Sequence, residues 1–252
     1  MIRLKNVTKS FGSTTVVDDV TCEIAPSGIT SLIGPNGAGK STLLSMISRL
    51  TPCDAGVITV DGLDVFDTPT DVLARKLSIL RQDNAVSVRL TVRELVTFGR
   101  YPHSRGRLTV VDKVKIDEAI AYLELESLAD RPLEELSGGQ RQRAFVAMVL
   151  CQDTDYILLD EPLNNLDMRH AVAMMQRLRR AADELGKTIV LVIHDVNFAA
   201  AYSDSIIALK GGRIVHSGTP RSVMTAEVMR SIYDMDMRFT EVDGTRLAMY
   251  YL

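Results

Sequence analysis

The stretch Gly34-Pro35-Asn36-Gly37-Ala38-Gly39-Lys40-Ser41-Thr42 constrains this chain more than any other. Its spacing is a glycine, four residues, then Gly-Lys-Ser. The preceding Ile29–Ile33 reads as a short strand, and Ser41 to Ile47 opens a helix. Glycines lack a Cβ, so the backbone between strand and helix can turn tightly and aim successive N–H groups at phosphate oxygens. The helix N-terminus adds partial positive charge at the same point. In this pattern Lys40 reaches the β- and γ-phosphates of a nucleotide, and the Ser41 hydroxyl ligates Mg²⁺.

At 252 residues the chain can bury a substantial core. A net charge of −3 gives no global pull toward nucleic acid, and no nucleic-acid partner is expected. Apolar runs such as Ile189 to Ile193 are too short to cross a bilayer. The first residues alternate like a strand and show no signal-peptide pattern. Cys22, Cys53 and Cys151 are widely spaced, as expected of unpaired thiols in a reducing cytosol. No cluster of His, Cys and carboxylates has the spacing to bind iron.

Alternation predicts strands over Ile2–Val7 and Val16–Ile24 around the turn Phe11-Gly12-Ser13, then Val57–Val60 and Leu77–Leu80. Thr91-Val92-Arg93-Glu94 is a capping-box sequence, with a helix expected to stop near Arg100 because Pro102 disfavours helical geometry at Tyr101. Further helices are expected from about Val111 to Leu125 and from Ser137 through Val149. Buried strands then follow at Tyr156–Asp160 and Thr188–Ile193, with helices at Met168–Leu185, closed by Gly186, and Asp195–Tyr202. Gly211-Gly212 signals a hairpin, and Thr219-Pro220 starts what reads as a terminal helix. Met168, Met174 and Met175 read as packing residues. Arg177, Arg179 and Arg180 read as a solvated helix face, and His170 and His216 as surface residues.

Two more motifs complete a nucleotide site. Asp160 and Glu161 end an apolar strand, where Asp160 can hold Mg²⁺ and Glu161 can polarise an attacking water. Leu136-Ser137-Gly138-Gly139-Gln140 offers a second anion-binding helix tip, with a serine hydroxyl, bare N–H groups and a dipole. With these residues the sequence resembles the ATP-binding cassette ATPases, whose phosphate loop, Gln82, signature, acidic strand end, Asp167 and His194 come here in the family's order. The resemblance implies an α/β fold of the P-loop NTPase type. It has a mainly parallel core sheet, an antiparallel N-terminal β layer, and a helical insertion over 83–150 between core segments 1–82 and 151–252.

It also implies ATP and Mg²⁺ as ligands, and a head-to-tail homodimer in which Ser137, Gly138, Gly139 and Gln140 close over ATP held by the partner. Residues 34–42 grip the phosphates, Phe11 stacks on adenine in place of the commoner tyrosine, and Ser41, Gln82 and Asp160 serve the metal. Glu161, His194, Gln82 and Lys40 carry hydrolysis, while Asp167 makes a cross-subunit contact and also suits the cap of the following helix. Asn164 departs from the family's usual serine or threonine.

Phe98-Gly99-Arg100-Tyr101-Pro102-His103 and Asn164-Asn165-Leu166-Asp167-Met168 resemble the importer branch serving iron–siderophore complexes, haem and cobalamin. That resemblance implies a motor subunit peripheral to the cytoplasmic face of the membrane. Two copies would sit under a permease whose coupling helices enter the region after Gln82, and an extracytoplasmic binding protein would deliver the cargo. Ferric siderophore is the first expectation. Cobalamin or haem import, or a soluble cassette ATPase of iron–sulfur cluster assembly, are the alternatives.

Overall fold

In the computed structural model, residues 1–82, 84 and 88–251 are described. The first part of the chain forms β1 (Ile2–Phe11), β2 (Thr14–Ile24), β3 (Gly28–Ile33), α1 (Lys40–Ile47), β4 (Ala55–Val60) and β5 (Leu63–Asp64). The middle forms α2 (Thr70–Leu73), β6 (Leu77–Leu80), α3 (Val92–Phe98), α4 (Tyr101–Ser104), α5 (Val110–Tyr122), α6 (Gly138–Cys151), β7 (Tyr156–Asp160) and α7 (Met168–Leu185). Then come β8 (Thr188–Val192), α8 (Val196–Tyr202), β9 (Ser205–Lys210), β10 (Arg213–Gly218), α9 (Pro220–Val223), α10 (Ala226–Tyr233), β11 (Arg238–Val242) and β12 (Thr245–Met249). The chain divides into two compact units, Met1–Thr68 with Thr188–Leu252, and Pro69–Lys187.

In the first unit, β2, β1, β4 and β5 make an antiparallel layer. Ile2 and Leu4 of β1 alternate inward, and after a register shift at Asn6, which is left-handed at φ 50°, the inward set resumes with Val7 and Lys9. In the core sheet, β3 lies between β8 and β9, parallel to both, and β10 returns antiparallel on β9. Both β3 and β8 are buried nearly throughout, as expected of parallel strands covered on two faces. Gly211 and Gly212, both at positive φ, make the turn between β9 and β10.

In the second unit, β6 and β7 pair in parallel. Helices α3, α5 and α6 pack on one another through Leu95, Val96, Ile116, Ile120, Phe145 and Val149, all buried. Capping boxes open all three, at Thr91/Glu94, Thr109/Asp112 and Ser137/Gln140.

Four expectations are corrected. Tyr101 is helical, because α4 starts there and Pro102 sits in its first turn, where a missing N–H costs nothing. The C-terminal region is not one helix. It is α9, then α10 capped by Thr225, then the antiparallel pair β11–β12. Met174 and Met175 are buried, but Met168, the first residue of α7, is 82% exposed and packs against little. Arg177 is buried beneath the Glu124 carboxylate, so it is no solvated residue. Among the described residues no helix is long and apolar enough to cross a membrane.

Candidate nucleotide site

The phosphate loop is built into the first unit by close backbone approach. Gly34 leaves β3 at φ 138°, and a Cβ there would lie 2.0 Å from the Leu209 carbonyl oxygen of β9. Gly39 has φ 95°, and its Cβ would meet the Val16 oxygen of β2 at 2.5 Å. Only glycine fits either position. Gly37, at φ 75°, faces open space, with no atom within 4 Å of a built Cβ. Gly37 is exposed, so bare backbone is accessible at this point of the loop. Lys40, buried at 5% exposure, folds back over the loop and donates from Nζ to the carbonyl oxygens of Gly34 (2.8 Å) and Pro35 (2.9 Å). Asn36 is exposed, Ala38 is buried, and Ser41 and Thr42 are half-buried in the first turn of α1.

Phe11 ends β1 with 54% of its surface exposed, so it is not a core residue. Lys9 lies 5.4 Å from its ring centroid and pairs with Asp54 at 2.7 Å. His194 is exposed between β8 and α8, and the next residue, Asp195, caps α8 through the N–H of Asn197 at 2.8 Å.

The second unit brings together two of the residues expected to act in hydrolysis. Asp160 closes β7 and is 6% exposed. Glu161 turns out of the strand in the left-handed region at φ 52°. Its Oε2 accepts a hydrogen bond of 3.0 Å from Nε2 of Gln82, which follows β6. Asn164 Nδ2 donates to the same oxygen, a contact that motif reading missed. The strand pairing of β6 with β7 sets Gln82 beside Glu161, because both residues leave neighbouring parallel strands at their C-terminal ends.

Ser137 and Gly138 are exposed at the tip of α6. Ser137 Oγ accepts from Gln140 N–H (3.2 Å), and Gln140 Oε1 accepts from Ser137 N–H (3.0 Å). Gly138 and Gly139 also serve packing within this unit. Built Cβ atoms would lie 3.2 Å from Asn165 Cβ and 3.1 Å from Leu166 Cδ2. Asp167 caps α7 through His170 N–H at 2.8 Å, as expected, and its Oδ1 is also 2.8 Å from His170 Nδ1. These bonds hold the Asp167 carboxyl below its usual range, the His170 backbone N–H first among them. Among the described residues no group of three or more His, Cys, Asp or Glu could hold a metal ion by itself. The three cysteines are free, and burial pushes the thiols of Cys22 and Cys151 up to about 11 and about 12.

The family model described as ABC transporter matches residues 17–164. The chain is 52% identical over 251 residues to the petrobactin import ATP-binding protein YclP of Bacillus subtilis, covering all of both chains. It is 39% identical to the ferric enterobactin transport ATP-binding protein FepC of Escherichia coli, over 98% of this chain and 93% of that one. Its fold is similar to the dimeric post-hydrolysis structure of the ATP-binding cassette MJ0796 bound to ADP and Pi. The TM-score is 0.79 and the identity 32%, over 88% of this chain and 99% of that one. A phosphate loop that requires glycine at Gly34 and Gly39, a matching family model over more than half the chain and relatives aligned end to end lead to one assignment: this chain belongs to the ABC transporter family, as one of its ATP-binding, ATP-hydrolysing subunits.

Proposed function

We propose that this chain drives import of a ferric siderophore, working as a head-to-tail homodimer on the cytoplasmic face of a membrane permease. The observation that carries the hydrolytic part is the Glu161 carboxylate, set at the end of a buried strand and held by the Gln82 amide at 3.0 Å. A carboxylate so oriented can take a proton from water as the water attacks the γ-phosphorus, releasing ADP and phosphate. The Lys40 ammonium, poised over the loop, and backbone N–H groups of the loop beyond Pro35 bind the phosphates. His194 is assigned to the γ-phosphate, and the exposed ring of Phe11 to stacking on adenine.

The donors of Ser41, Gln82 and Asp160 are hard oxygens, and such a set suits Mg²⁺, which usually binds one or two carboxylates plus substrate phosphates. When bound, the ion would neutralise phosphate charge. The exposed tip at Ser137, Gly138 and Gly139, with Gln140 and Asp167, is assigned to the ATP of the second copy, so two equivalent composite sites form under two-fold symmetry.

The permease's coupling helices are assigned to the region after Gln82, of which residues 83 and 85–87 lie outside the described residues, and the exposed apolar side chains of Phe98, Tyr101, Val110, Val111 and Val114 in the same unit support a docking surface there. An extracytoplasmic binding protein would hand over the cargo. The petrobactin and enterobactin relatives support a siderophore as that cargo. Uptake measured in cells lacking this chain tests the reading. Ferric siderophore uptake should be lost and restored by the native chain but not by Glu161→Gln, which should still bind ATP. Loss of haem or cobalamin uptake with siderophore uptake intact would overturn the cargo assignment.

A further inference from the structure

Two amide side chains converge on one oxygen of Glu161: Nε2 of Gln82 at 3.0 Å, and Nδ2 of Asn164. Asn164 reaches it because the backbone doubles back after the strand. Glu161 is at φ 52°, Asn164 N–H donates to the Glu161 carbonyl at 3.2 Å, and Asn165 is left-handed at φ 62°. Such a turn brings the third residue after Glu161 beside its own side chain. Two donors on Oε2 fix the rotation of the carboxylate and therefore the direction in which Oε1 points. One donor alone leaves a hinge.

We propose that Asn164 is a positioning residue for Glu161, the second of two amide clamps that hold the carboxylate in one orientation for the attacking water. The role rests on the assignment of Glu161 as the proton acceptor. It gives a reason for asparagine at this position of the motif. A serine or threonine has a shorter side chain, whereas an amide carries its donor one atom farther toward the carboxylate. The clamp is also tied to the signature tip, because the following residues Asn165 and Leu166 pack against Gly138 and Gly139. Orientation of the proton acceptor is thereby joined by a short packed path to the helix tip assigned to the partner's nucleotide.

Steady-state ATP hydrolysis by the chain assembled with its permease tests this. Asn164→Asp is nearly isosteric but replaces a donor with a second acceptor beside Glu161. Asn164→Ala removes the donor and keeps the backbone bond that closes the turn. Asn164→Ser offers a shorter donor and guards against a variant that fails to fold. For Asp and Ala, kcat should fall on the order of tenfold, the rate equivalent of one lost oriented hydrogen bond, while KM for ATP stays within about twofold. Ser should retain an intermediate kcat. A residue that merely shaped the turn would leave the isosteric Asp variant at native kcat, or would raise KM along with lowering kcat. Either result overturns the proposal. Glu161→Gln, measured in parallel, separates the two claims. If it is inactive and Asn164→Asp is native, only the clamp fails; if it turns over at the native rate, the assignment of Glu161 fails and the clamp with it.

Discussion

The N–H of Gly34, the first residue of the phosphate loop, donates a 3.1 Å hydrogen bond to the hydroxyl oxygen of Tyr233, the last residue of α10. The two are separated by 199 positions in sequence. Burial pushes the Tyr233 phenol up to about 12. Behind it, Asp234 ends α10 in the left-handed conformation and is bound by Lys210 at 2.7 Å. Lys210 also donates to the Ser231 carbonyl at 2.8 Å, which fixes the end of α10 to the end of β9. The loop is therefore braced by a C-terminal helix that lies outside the residues matched by the family model.

Tyr233→Phe removes the acceptor for the Gly34 N–H while keeping the ring. The loss is about 1 kcal/mol, and if it falls on the nucleotide-bound state it weakens ATP binding about fivefold. Titration with a fluorescent ATP analogue checks it. Native affinity in a variant of native stability would show that the brace has no part in binding.

The glycines of the loop should not respond alike to alanine. Gly39→Ala must adopt φ near 95° and place a methyl 2.5 Å from the Val16 oxygen, so backbone has to move. Gly37→Ala has open space and pays only for its left-handed backbone, roughly 1–2 kcal/mol. Chemical denaturation should therefore rank Gly39→Ala well below Gly37→Ala in stability. In Gly37→Ala the fold should persist while the methyl intrudes on the phosphate space, so loss appears in ATP affinity. Equal destabilisation of both would refute the distinction.

How much could be read beforehand depended on whether the signal was local. The bounds of β7 and α7 came through because an apolar strand ends in paired acids, and because Gly186 stops the helix in a left-handed turn. The pair β11–β12 was missed, although Asp243-Gly244, both at positive φ, is a two-residue hairpin signal. Its strands carry little apolar alternation, since most of β11 is exposed. Gln82 and Glu161 were legible as separate motif residues. Their meeting depends on the β6–β7 register, and the Asn164 contact on a left-handed turn, neither of which spacing encodes. Tyr233 had no local signal, because its role comes from a contact nearly the length of the chain away.

In the second unit, Arg100 Nε meets Asp112 Oδ1 at 2.9 Å, with both side chains almost wholly buried, and Arg100 Nη1 donates to the Cys151 carbonyl at 3.0 Å. Asp112 is also the reciprocal partner in the cap of α5. The Thr109 backbone N–H, then the Thr109 hydroxyl, then Arg100 lower its carboxyl from 3.8 to about 2. A folded value below the unfolded one means this stabilisation is full above about pH 4 and is lost as pH falls through about 2. Asp112→Leu leaves Arg100 charged and buried, so it should cost about 3–5 kcal/mol at neutral pH. The double change Arg100→Met with Asp112→Leu should cost less. Urea unfolding at pH 7 and at pH 3 measures both. In the Asp112 variant the part of the acid sensitivity between about pH 4 and 2 should shrink, and a variant with undiminished acid sensitivity would refute the assignment.

The turn that carries His194 has its own fastening. Asn197, three residues on, uses its side-chain amide as if it were strand backbone. Its Nδ2 donates to the Ala248 carbonyl at 3.1 Å, and its Oδ1 accepts from the Ala248 N–H at 2.7 Å. Two-stranded hairpins are marginal alone, and β11–β12 has few buried side chains, so attachment must come from outside the pair. Asn197 supplies two bonds worth about 1 kcal/mol each. Asn197→Ala should therefore leave the core sheet intact and release the hairpin. Hydrogen exchange should show faster amide exchange over residues 238–249 and in the first turn of α8, with β3 and β8 unchanged. If hydrolysis by the permease-bound enzyme depends on a fixed His194 turn, kcat should fall in the same variant in proportion to the lost protection of α8. Unchanged protection of residues 238–249 would mean that other contacts hold the hairpin and that the amide pair is dispensable.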